Sequence, residues 1–348
     1  YALYVNGSFY ADNLSVAQFN KVITVDGVAY PATGAGIQAA INDLPAEGGK
    51  VFIPAGTYYV TATINIPSNA WIEGAGKNAT ILELADGVNG SVLQSLTTSN
   101  IKISSLRINA NDAGNTGTDL HGVYLYDAER VLVEDVYIYD SEDVGIRLVS
   151  TDYSTIQSSI IESTGAEGIY STDTSSYNSY INNEVRDTGG YGIRFANAAY
   201  HRVEYNHIVN TTGYGIDFCN GTTNSIAVGN TVIDATLYGI AVFSDNNIVS
   251  TNRIIGSGSY GVYVTSSSNV LEGNNVSNAA SNGMYINADD NIVNGNRIKN
   301  SGSSGIYVSA TADRNSITAN RISDTTGSAY AINILNGASD NSVSGNDL

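Results

Sequence analysis

Several residue types on which other protein classes depend are scarce in this sequence of 348 residues. Cys219 is the only cysteine, so no internal disulfide can form. Lysine and arginine total 15 against 33 aspartate and glutamate residues, which gives a net charge of −18. This shortage of basic side chains argues against a nucleic-acid partner. No apolar run approaches the ~20 residues of a transmembrane helix, so we expect no membrane insertion.

The composition and the two ends of the chain suggest where the protein works. Tyr, Asn, Ser, Thr and Gly are abundant and Lys is rare, which is typical of an extracellular or cell-surface protein. No signal peptide is visible, and the start at Tyr1 predicts a processed or truncated chain. The sequence stops at Leu348, partway through a repeat and without a cap. That end predicts a longer natural chain, a partner, or a homo-oligomer formed by end-to-end stacking.

A fixed period dominates the sequence. A frame that begins with glycine followed by isoleucine, or by valine or methionine in its place, returns every 22–26 residues. The glycines that open this frame are Gly122, Gly145, Gly168, Gly192, Gly215, Gly239, Gly261, Gly283 and Gly305, with Ala331 in the last slot. A period of this length predicts a solenoid, in which each unit buries its apolar face only by stacking on its neighbours.

Each repeat contains three short segments in which apolar and other residues alternate, and this is the two-residue period of a β-strand. Corners rich in Gly, Asn, Ser and Thr separate the segments and leave no room for a helix. We therefore predict an all-β, single-stranded parallel β-helix. Its predicted inward column is Ile146, Ile169, Ile193, Ile216, Ile240, Val262 and Ile306.

One corner slot holds asparagine in repeat after repeat. If strands stack at ~4.8 Å, the side-chain amides can hydrogen-bond along the column, and asparagine tolerates the left-handed backbone of a sharp corner. We interpret this ladder as structural. Its members are Asn183, Asn206, Asn230, Asn252, Asn274, Asn296, Asn320 and Asn346.

The first part of the chain is less regular. Residues 1–32 are predicted to be an N-terminal extension packed on the solenoid, and residues 33–348 to form the β-helix itself. Residues 36–44 have the spacing of a short amphipathic helix that would cap the open end. Residues 109–121 are the longest polar excursion and are predicted to form a loop, and the regular turns of 22–26 residues occupy 122–348.

The outward positions of the frame carry the candidate site. The residue after each frame isoleucine points outward by alternation and includes Tyr124, Arg147, Tyr170, Arg194, Asp217 and Tyr263. The residue before the frame glycine adds Glu167, Tyr191, Tyr214 and Tyr238. Tyrosine offers apolar faces and a hydroxyl to sugar rings, and arginine can hold a uronate carboxylate by a bidentate pair. An acidic polysaccharide is therefore the predicted partner. The alternative is that Tyr is only a good strand residue and Arg194–Asp217 an exposed cross-strand pair.

Two other chemistries have weaker support. A hydrolase would need two carboxylates across the bond, and Glu167 and Asp217 are predicted to lie two turns apart, roughly 10 Å by strand spacing. The spacing of His121, His201 and His207 matches no zinc motif, so we expect no metal ligand there. Asn109, Asn111, Asp112, Asn115 and Asp119 have some features of a calcium loop without its downstream Glu. Beyond that weak calcium signal, we predict no cofactor.

The segments GGKVFIPAGTY and WIEGAGKNATIL, the short helix before them and the Gly-Ile repeats resemble the pectate-lyase-like right-handed parallel β-helix superfamily over roughly residues 33–348. The N-terminal part resembles mannuronan C5-epimerase modules and phage tailspikes, and the repeats resemble NosD-like proteins. The resemblance implies a right-handed coil. For activity it leaves lyase, epimerase, hydrolase and inert scaffold open.

The epimerase motif Tyr-Gly-Phe-Asp-Pro-His is only partly present. Tyr214-Gly-Ile-Asp217 keeps its Tyr, Gly and Asp, but Cys219 stands at the His position. A uronate lyase or epimerase needs a group that neutralises the carboxylate, a base for the C5 proton and a proton donor. Arg194 or Arg147 would neutralise, Tyr191 or Tyr214 would act as base or acid, and Asp217 would orient them. The alternative function is a non-catalytic surface, filament or adhesion protein.

Overall fold

The computed structural model describes residues 21–115, 117, 119–325 and 330–348. Its fold is an all-β parallel β-helix of about 13 turns, as the sequence predicts. The chain divides into two compact units. The first comprises residues 1–165 and 175–183, and the second comprises residues 166–174 and 184–348. Of the predicted N-terminal extension, residues 1–20 lie outside the described residues, and the predicted boundary between 1–32 and 33–348 stays a prediction.

The helix of the first unit is confirmed, with both ends two residues earlier than predicted. It spans Gly34–Asn42, and the Thr33 side chain caps it by accepting a hydrogen bond from the Gly36 N–H at 3.2 Å. Ile37, Ala40 and Ile41 are its buried apolar residues. Gln38 anchors the helix to the strand Ile64–Asn65, because its Oε1 accepts from Asn65 N at 2.7 Å and its Nε2 donates to Asn65 O at 3.1 Å. The helix thus lies against the first strands, where a cap is expected.

Strands of the first unit pair in parallel with the equivalent strands one turn away. The frame column, which carries the Gly-Ile motif, consists of Ile64–Asn65, Leu93–Leu96, Val123–Tyr126 and Ile146–Val149. The strands of the other faces are Val22–Thr24, Gly49–Ile53, Gly56–Val60, Ala70–Gly74, Thr80–Leu84, Ser99–Asn109, Glu129–Ser141, Thr155–Gln157, Ile160–Thr164 and Ser179–Ile181. A single 3-10 turn, Asp112–Gly114, interrupts the predicted polar loop in the residues described there.

The second unit has three parallel columns of short strands. Its frame column consists of Ile169–Thr172, Ile193–Ala196, Ile216–Phe218, Ile240–Val242, Val262–Val264, Met284–Ile286, Ile306–Val308 and Ile332–Ile334. The second column is Arg202–Glu204, Ile226–Val228, Ile248–Ser250, Val270–Glu272, Ile292–Asn294, Ser316–Thr318 and Ser342–Ser344. The third is Glu184–Thr188, His207–Thr211, Thr231–Ile233, Arg253–Ile255, Asn275–Ser277, Arg297–Lys299 and Arg321–Ser323.

The predicted register is correct for the core. All seven residues of the predicted inward column are 0% exposed. The frame glycine has a steric cause, illustrated by Gly215. A Cβ built on Gly215 would lie 2.3 Å from Val232 Cγ1 and 2.7 Å from Gly239 O. A side chain at Gly215 would therefore push the stacked turns apart.

The asparagine ladder is confirmed in the second unit, where each Nδ2 donates to the next Oδ1 from Asn206 to Asn346 at 2.9–3.0 Å. The left-handed corner falls one residue earlier than predicted. Positive φ is found at Tyr205 and Thr251, each of which precedes a ladder asparagine, while the ladder residues themselves are not left-handed. A second ladder, absent from the prediction, links backbone N–H groups to the next Oδ1 through Asn247, Asn269, Asn291, Asn315 and Asn341.

In the described part of the chain no helix has the length and apolar character needed to cross a membrane.

Candidate functional site

The parallel register of the second unit brings together a group of polar side chains that we call the arginine patch: Glu167, Tyr170, Tyr191, Arg194, Tyr214 and Asp217. On the frame column, Tyr170 pairs with Arg194 and Arg194 pairs with Asp217. These residues are 23 or 24 positions apart in sequence and become direct neighbours only because equivalent strands stack. All four predicted catalytic residues lie in this patch.

Arg194 is the centre of the patch. Its Nη1 donates a 2.9 Å hydrogen bond to Glu167 Oε1, and its Nε lies 3.4 Å from Asp217 Oδ2. The guanidinium carbon lies 5.1 Å from the Tyr170 ring centroid and 4.8 Å from that of Tyr191. Burial acts to lower the pKa of Arg194, but the bond to Glu167 and the nearby negative charge outweigh it and raise the pKa. The side chain therefore keeps its charge between two carboxylates.

Asp217 is not the exposed cross-strand partner that the alternative interpretation predicted. The residue is 1% exposed, and its Oδ1 has no hydrogen-bond partner. Burial raises the pKa of Asp217 to about 7, Arg194 opposes this rise, and Glu167 adds to it. A carboxyl group with a pKa near neutrality can give or take a proton under physiological conditions. Asp217 therefore has the pKa expected of an acid–base group, whereas the sequence analysis predicted an orienting role for it.

The tyrosines of the patch are suited to donating protons. Burial is the main cause that raises the pKa of Tyr214, to about 12, and it also raises the pKa of Tyr191. Both pKa values respond to the charge of Asp217. At neutral pH the two phenols are therefore protonated, which favours the acid over the base among the roles predicted for them.

A stacked tyrosine column extends from the patch along the second unit. The ring centroids of Tyr191 and Tyr214 are 4.8 Å apart, those of Tyr214 and Tyr238 are 4.7 Å apart, and the stack continues through Tyr260, Tyr285 and Tyr307 at 4.8–5.2 Å. Tyr263 packs beside it, 4.7 Å from Tyr238. Since the ring faces pack mainly against one another, the column offers edges and hydroxyls to a ligand. The predicted stacking of sugars on open tyrosine faces therefore needs revision.

The two predicted substrate-binding residues of the first unit, Tyr124 and Arg147, lie beside groups that the predicted site omitted. We call Asp119, His121, Asp143 and Arg147 the histidine cluster. His121 is 0% exposed, with Nε2 3.8 Å from Asp119 Oδ1 and Nδ1 3.6 Å from Asp143 Oδ2. Arg147 Nη1 is 3.7 Å from Asp119 Oδ1, and the Tyr124 ring is 5.4 Å from the imidazole.

A signal for this cluster was present in the sequence. His121 precedes a frame glycine, which is the slot that Glu167 and Tyr191 occupy in later turns. Extending that slot back by two turns would have identified it.

The asparagine side chains of the predicted calcium loop bond to backbone atoms of the loop and of Leu84. Asn109 Oδ1 accepts from Asn111 N at 3.0 Å, and Asn111 Nδ2 donates to Leu84 O at 2.8 Å. Asn115 Nδ2 donates to Asn111 O at 3.0 Å. These bonds account for the asparagines as loop-forming residues, and calcium binding stays a prediction.

Comparison with family models matches the chain to the right-handed β-helix region over residues 77–232 and 197–348. The model described as rhamnogalacturonase A/epimerase, pectate lyase-like, matches residues 26–100. No curated protein sequence matches the chain.

Several solved structures share the fold at low sequence identity. The A-module of mannuronan C-5 epimerase AlgE6 from Azotobacter vinelandii is 22% identical, with a TM-score of 0.82 over 93% of this chain and 98% of that chain. The GH87 α-1,3-glucanase catalytic unit of Streptomyces thermodiastaticus is 15% identical, with a TM-score of 0.64 over 93% of this chain and 69% of that chain. PfbA, a surface adhesin of Streptococcus pneumoniae, is 15% identical, with a TM-score of 0.68 over 94% and 90%.

At these identities the likeness shows the fold alone, since proteins that share this architecture include enzymes and adhesins. The family match rests on more of the chain. Its two segments together span residues 77–348, well over half of the sequence. The frame glycines, the inward isoleucine column and the asparagine ladder all lie within that span. The chain therefore belongs to the right-handed β-helix family.

Proposed function

We propose that the second unit binds an acidic, uronate-containing polysaccharide and acts on it as a lyase or C5-epimerase at the arginine patch. The observation that carries the proposal is Asp217, a buried carboxyl group with a pKa of about 7 beside the charged Arg194. The polysaccharide-related names among the structures that share the fold support the class of ligand.

The chemistry begins with the charge on the sugar. The C5 proton of a uronate becomes acidic enough to remove when a cation neutralises the neighbouring carboxylate, and Arg194 is the cation of the patch. Its 3.4 Å contact with Asp217 is longer than a hydrogen bond, so Asp217 remains available to react. Asp217 in its ionised form then takes the C5 proton.

The two reactions differ in the second proton transfer. In a lyase, the bond from C4 to its glycosidic oxygen breaks, a C4–C5 double bond forms, and a tyrosine hydroxyl protonates the leaving oxygen. In an epimerase, the tyrosine returns a proton to C5 from the opposite face, and no bond to oxygen breaks. Tyr191 and Tyr214 are the donors available, and their raised pKa values keep them protonated until the transfer.

Incubation with a panel of uronate polysaccharides in deuterated water tests the proposal. A lyase generates unsaturated ends that absorb in the ultraviolet, and an epimerase exchanges deuterium into C5 and changes the NMR signals of the sugar without that absorbance. We expect one of these signals in the wild-type protein and its loss in Asp217→Asn. The absence of both signals across the panel would contradict the enzymatic proposal.

A non-catalytic role in surface adhesion is the second candidate. It is favoured by the continuous tyrosine stack, which forms a rigid surface without requiring chemistry, and by the fold shared with an adhesin. Under this role the protein would bind a glycan and leave it chemically unchanged. An extracellular or cell-surface location is part of the proposal in either case.

A further inference from the structure

The histidine cluster of the first unit is independent of the proposed function. Asp119, His121 and Asp143 each offer one ligand atom, and these atoms all lie within 4.8 Å of one another. Two successive turns bring them together, because Asp143 N donates to the carbonyl of Leu120 at 3.4 Å. A buried imidazole between two carboxylates is an arrangement that requires an explanation.

His121 is the strongest observation. It is 0% exposed, and its Nε2 has no hydrogen-bond partner while lying 3.8 Å from Asp119 Oδ1. A buried polar atom without a partner destabilises the folded state, so a ligand that satisfied Nε2 would stabilise the protein.

Asp119 supplies both a second ligand and access from solvent. Its side chain is 74% exposed, in contrast to the fully buried imidazole that it faces. An ion can therefore approach from outside and be held between the exposed carboxylate and the buried ring. Two ligand atoms of one tetrahedral zinc ion lie about 3.3 Å apart at the usual bond lengths. The observed 3.8 Å separation needs to close by only about 0.5 Å.

We propose that Asp119 and Nε2 of His121 bind a divalent transition-metal ion of the zinc class, and that Asp143 positions the imidazole. When Nε2 holds the ion, the ring proton moves to Nδ1, and Asp143 Oδ2, which lies 3.6 Å from Nδ1, accepts a hydrogen bond from it after closing by about 0.5 Å. Val144 N–H then gives up its long, 3.3 Å bond to Nδ1. A carboxylate behind a metal-bound histidine is the usual means of fixing the tautomer. Imidazole nitrogen together with carboxylate oxygen suits zinc, manganese or cobalt better than calcium.

Arg147 gives the proposal a distinctive consequence. Its Nη1 lies 3.7 Å from Asp119 Oδ1, so the guanidinium already serves as the counter-cation of this carboxylate. A metal ion at Asp119 must compete with it and be repelled by its charge. Replacing Arg147 by a neutral residue should therefore tighten metal binding, although it removes a side chain from the site.

The test is calorimetric titration of the metal-stripped full chain with zinc, repeated with cobalt to record its visible absorption. We expect one zinc ion per chain. Asp119→Asn should weaken binding at least ~10-fold, Asp143→Asn should weaken it ~10–100-fold, and Arg147→Gln should tighten it. Asp112→Asn is the matched control, because it removes an exposed carboxylate from the same loop, and it should leave zinc affinity unchanged.

Two results would overturn the proposal. One is the absence of stoichiometric zinc uptake by the folded wild-type chain. The other is equal zinc affinity in the wild type and in Asp119→Asn. The Asp119→Asn variant keeps the buried imidazole intact, so its result does not depend on whether His121 can be replaced without unfolding.

Discussion

The histidine cluster of the first unit and the arginine patch of the second use the same slots of the repeat. His121 and Glu167 each precede a frame glycine, and Arg147 and Arg194 each follow the frame isoleucine. Burial favours the neutral form in both places, but it lowers the pKa of His121 to about 3 and raises that of Asp217 to about 7. Two slots of the same repeat thus hold a base with a lowered pKa in one unit and an acid with a raised pKa in the other, and the two groups respond oppositely to pH.

The sharpest way to separate the two regions is to remove Arg194. If it neutralises a uronate, Arg194→Ala should abolish activity and binding of acidic glycans, and Arg194→Lys should restore only part because the bidentate fork is lost. Glycan binding by isothermal titration is the measurement. Arg202→Ala is the control, because Arg202 pairs with Glu204 outside the patch. Unchanged affinity in Arg194→Ala would make the patch a structural ion-pair cluster.

The same test applied to the first unit asks whether its arginine takes part in binding. Arg147 was predicted to contact substrate, and its position beside Asp119 gives it another role. We expect Arg147→Ala to reduce glycan affinity much less than Arg194→Ala does. Equal losses from the two variants would remove the functional distinction between the patch and the cluster.

Both regions rest on the inward isoleucine column, so its loss should be costly in either. Ile216→Ala and Ile146→Ala should each lower the free energy of unfolding by roughly 2–5 kcal/mol, as expected for a buried aliphatic side chain. Tyr263→Ser, on the outward side, should cost much less. Chemical denaturation measures all three. A loss from Tyr263→Ser as large as that from Ile216→Ala would mean that the tyrosine column stabilises the fold as much as the core does.

The tyrosine hydroxyl separates catalysis from adhesion. Tyr214→Phe keeps the stack with Tyr191 and Tyr238 but removes the proton donor. An enzyme that uses this hydroxyl should keep its glycan affinity and lose turnover by ~10²-fold, the lower range for general acid catalysis. Tyr307→Phe, at the far end of the stack, is the control. If Tyr214→Phe retains full turnover, Tyr191 remains as the proton donor. If neither the wild type nor any variant shows turnover, the adhesion role is favoured.

The pKa values of Asp217 and His121 shift in opposite directions, so the two groups should make the free energy of unfolding depend on pH in opposite ways. The folded-state pKa of Asp217, about 7, exceeds its ordinary value of 3.8, so the folded state holds a proton that the unfolded chain releases, and stability falls as pH rises through this window. The folded-state pKa of His121, about 3, lies below its ordinary 6.5, so its contribution is present above pH 6.5 and is lost as pH falls. Each group can contribute a slope of at most about 1.4 kcal/mol per pH unit.

Chemical denaturation at a series of pH values measures both contributions to the free energy of unfolding. Between about pH 4 and 6.5 the two contributions have opposite slopes and offset each other in the wild type. Asp217→Asn should remove the decline, so that stability of this variant rises with pH across this window. Asp324→Asn, which removes an exposed carboxylate of the second unit, should leave the wild-type curve unchanged. If Asp217→Asn has the same pH dependence as the wild type, Asp217 is not held neutral.

The sequence predicted some features of the arginine patch correctly and missed others. Arg194, Tyr191, Tyr214 and Asp217 were predicted to converge, and they do, because a regular period of parallel turns fixes which residues stack. The burial of Asp217 was not predicted. Alternation tells which way a side chain points, but the exposure of an outward residue depends on the bulk of the side chains in the turns around it.

The sequence by itself determined the fold class, the inward column and the asparagine ladder. Each follows from periodicity, and periodicity is a local property that repeats along the chain. Only the tertiary structure decided that the tyrosine faces pack against each other and that His121 lies buried between Asp119 and Asp143. These features depend on distances of a few ångströms between side chains from different turns. The pKa values follow from the same packing, since desolvation is set by the atoms that surround a group and not by its place in the repeat.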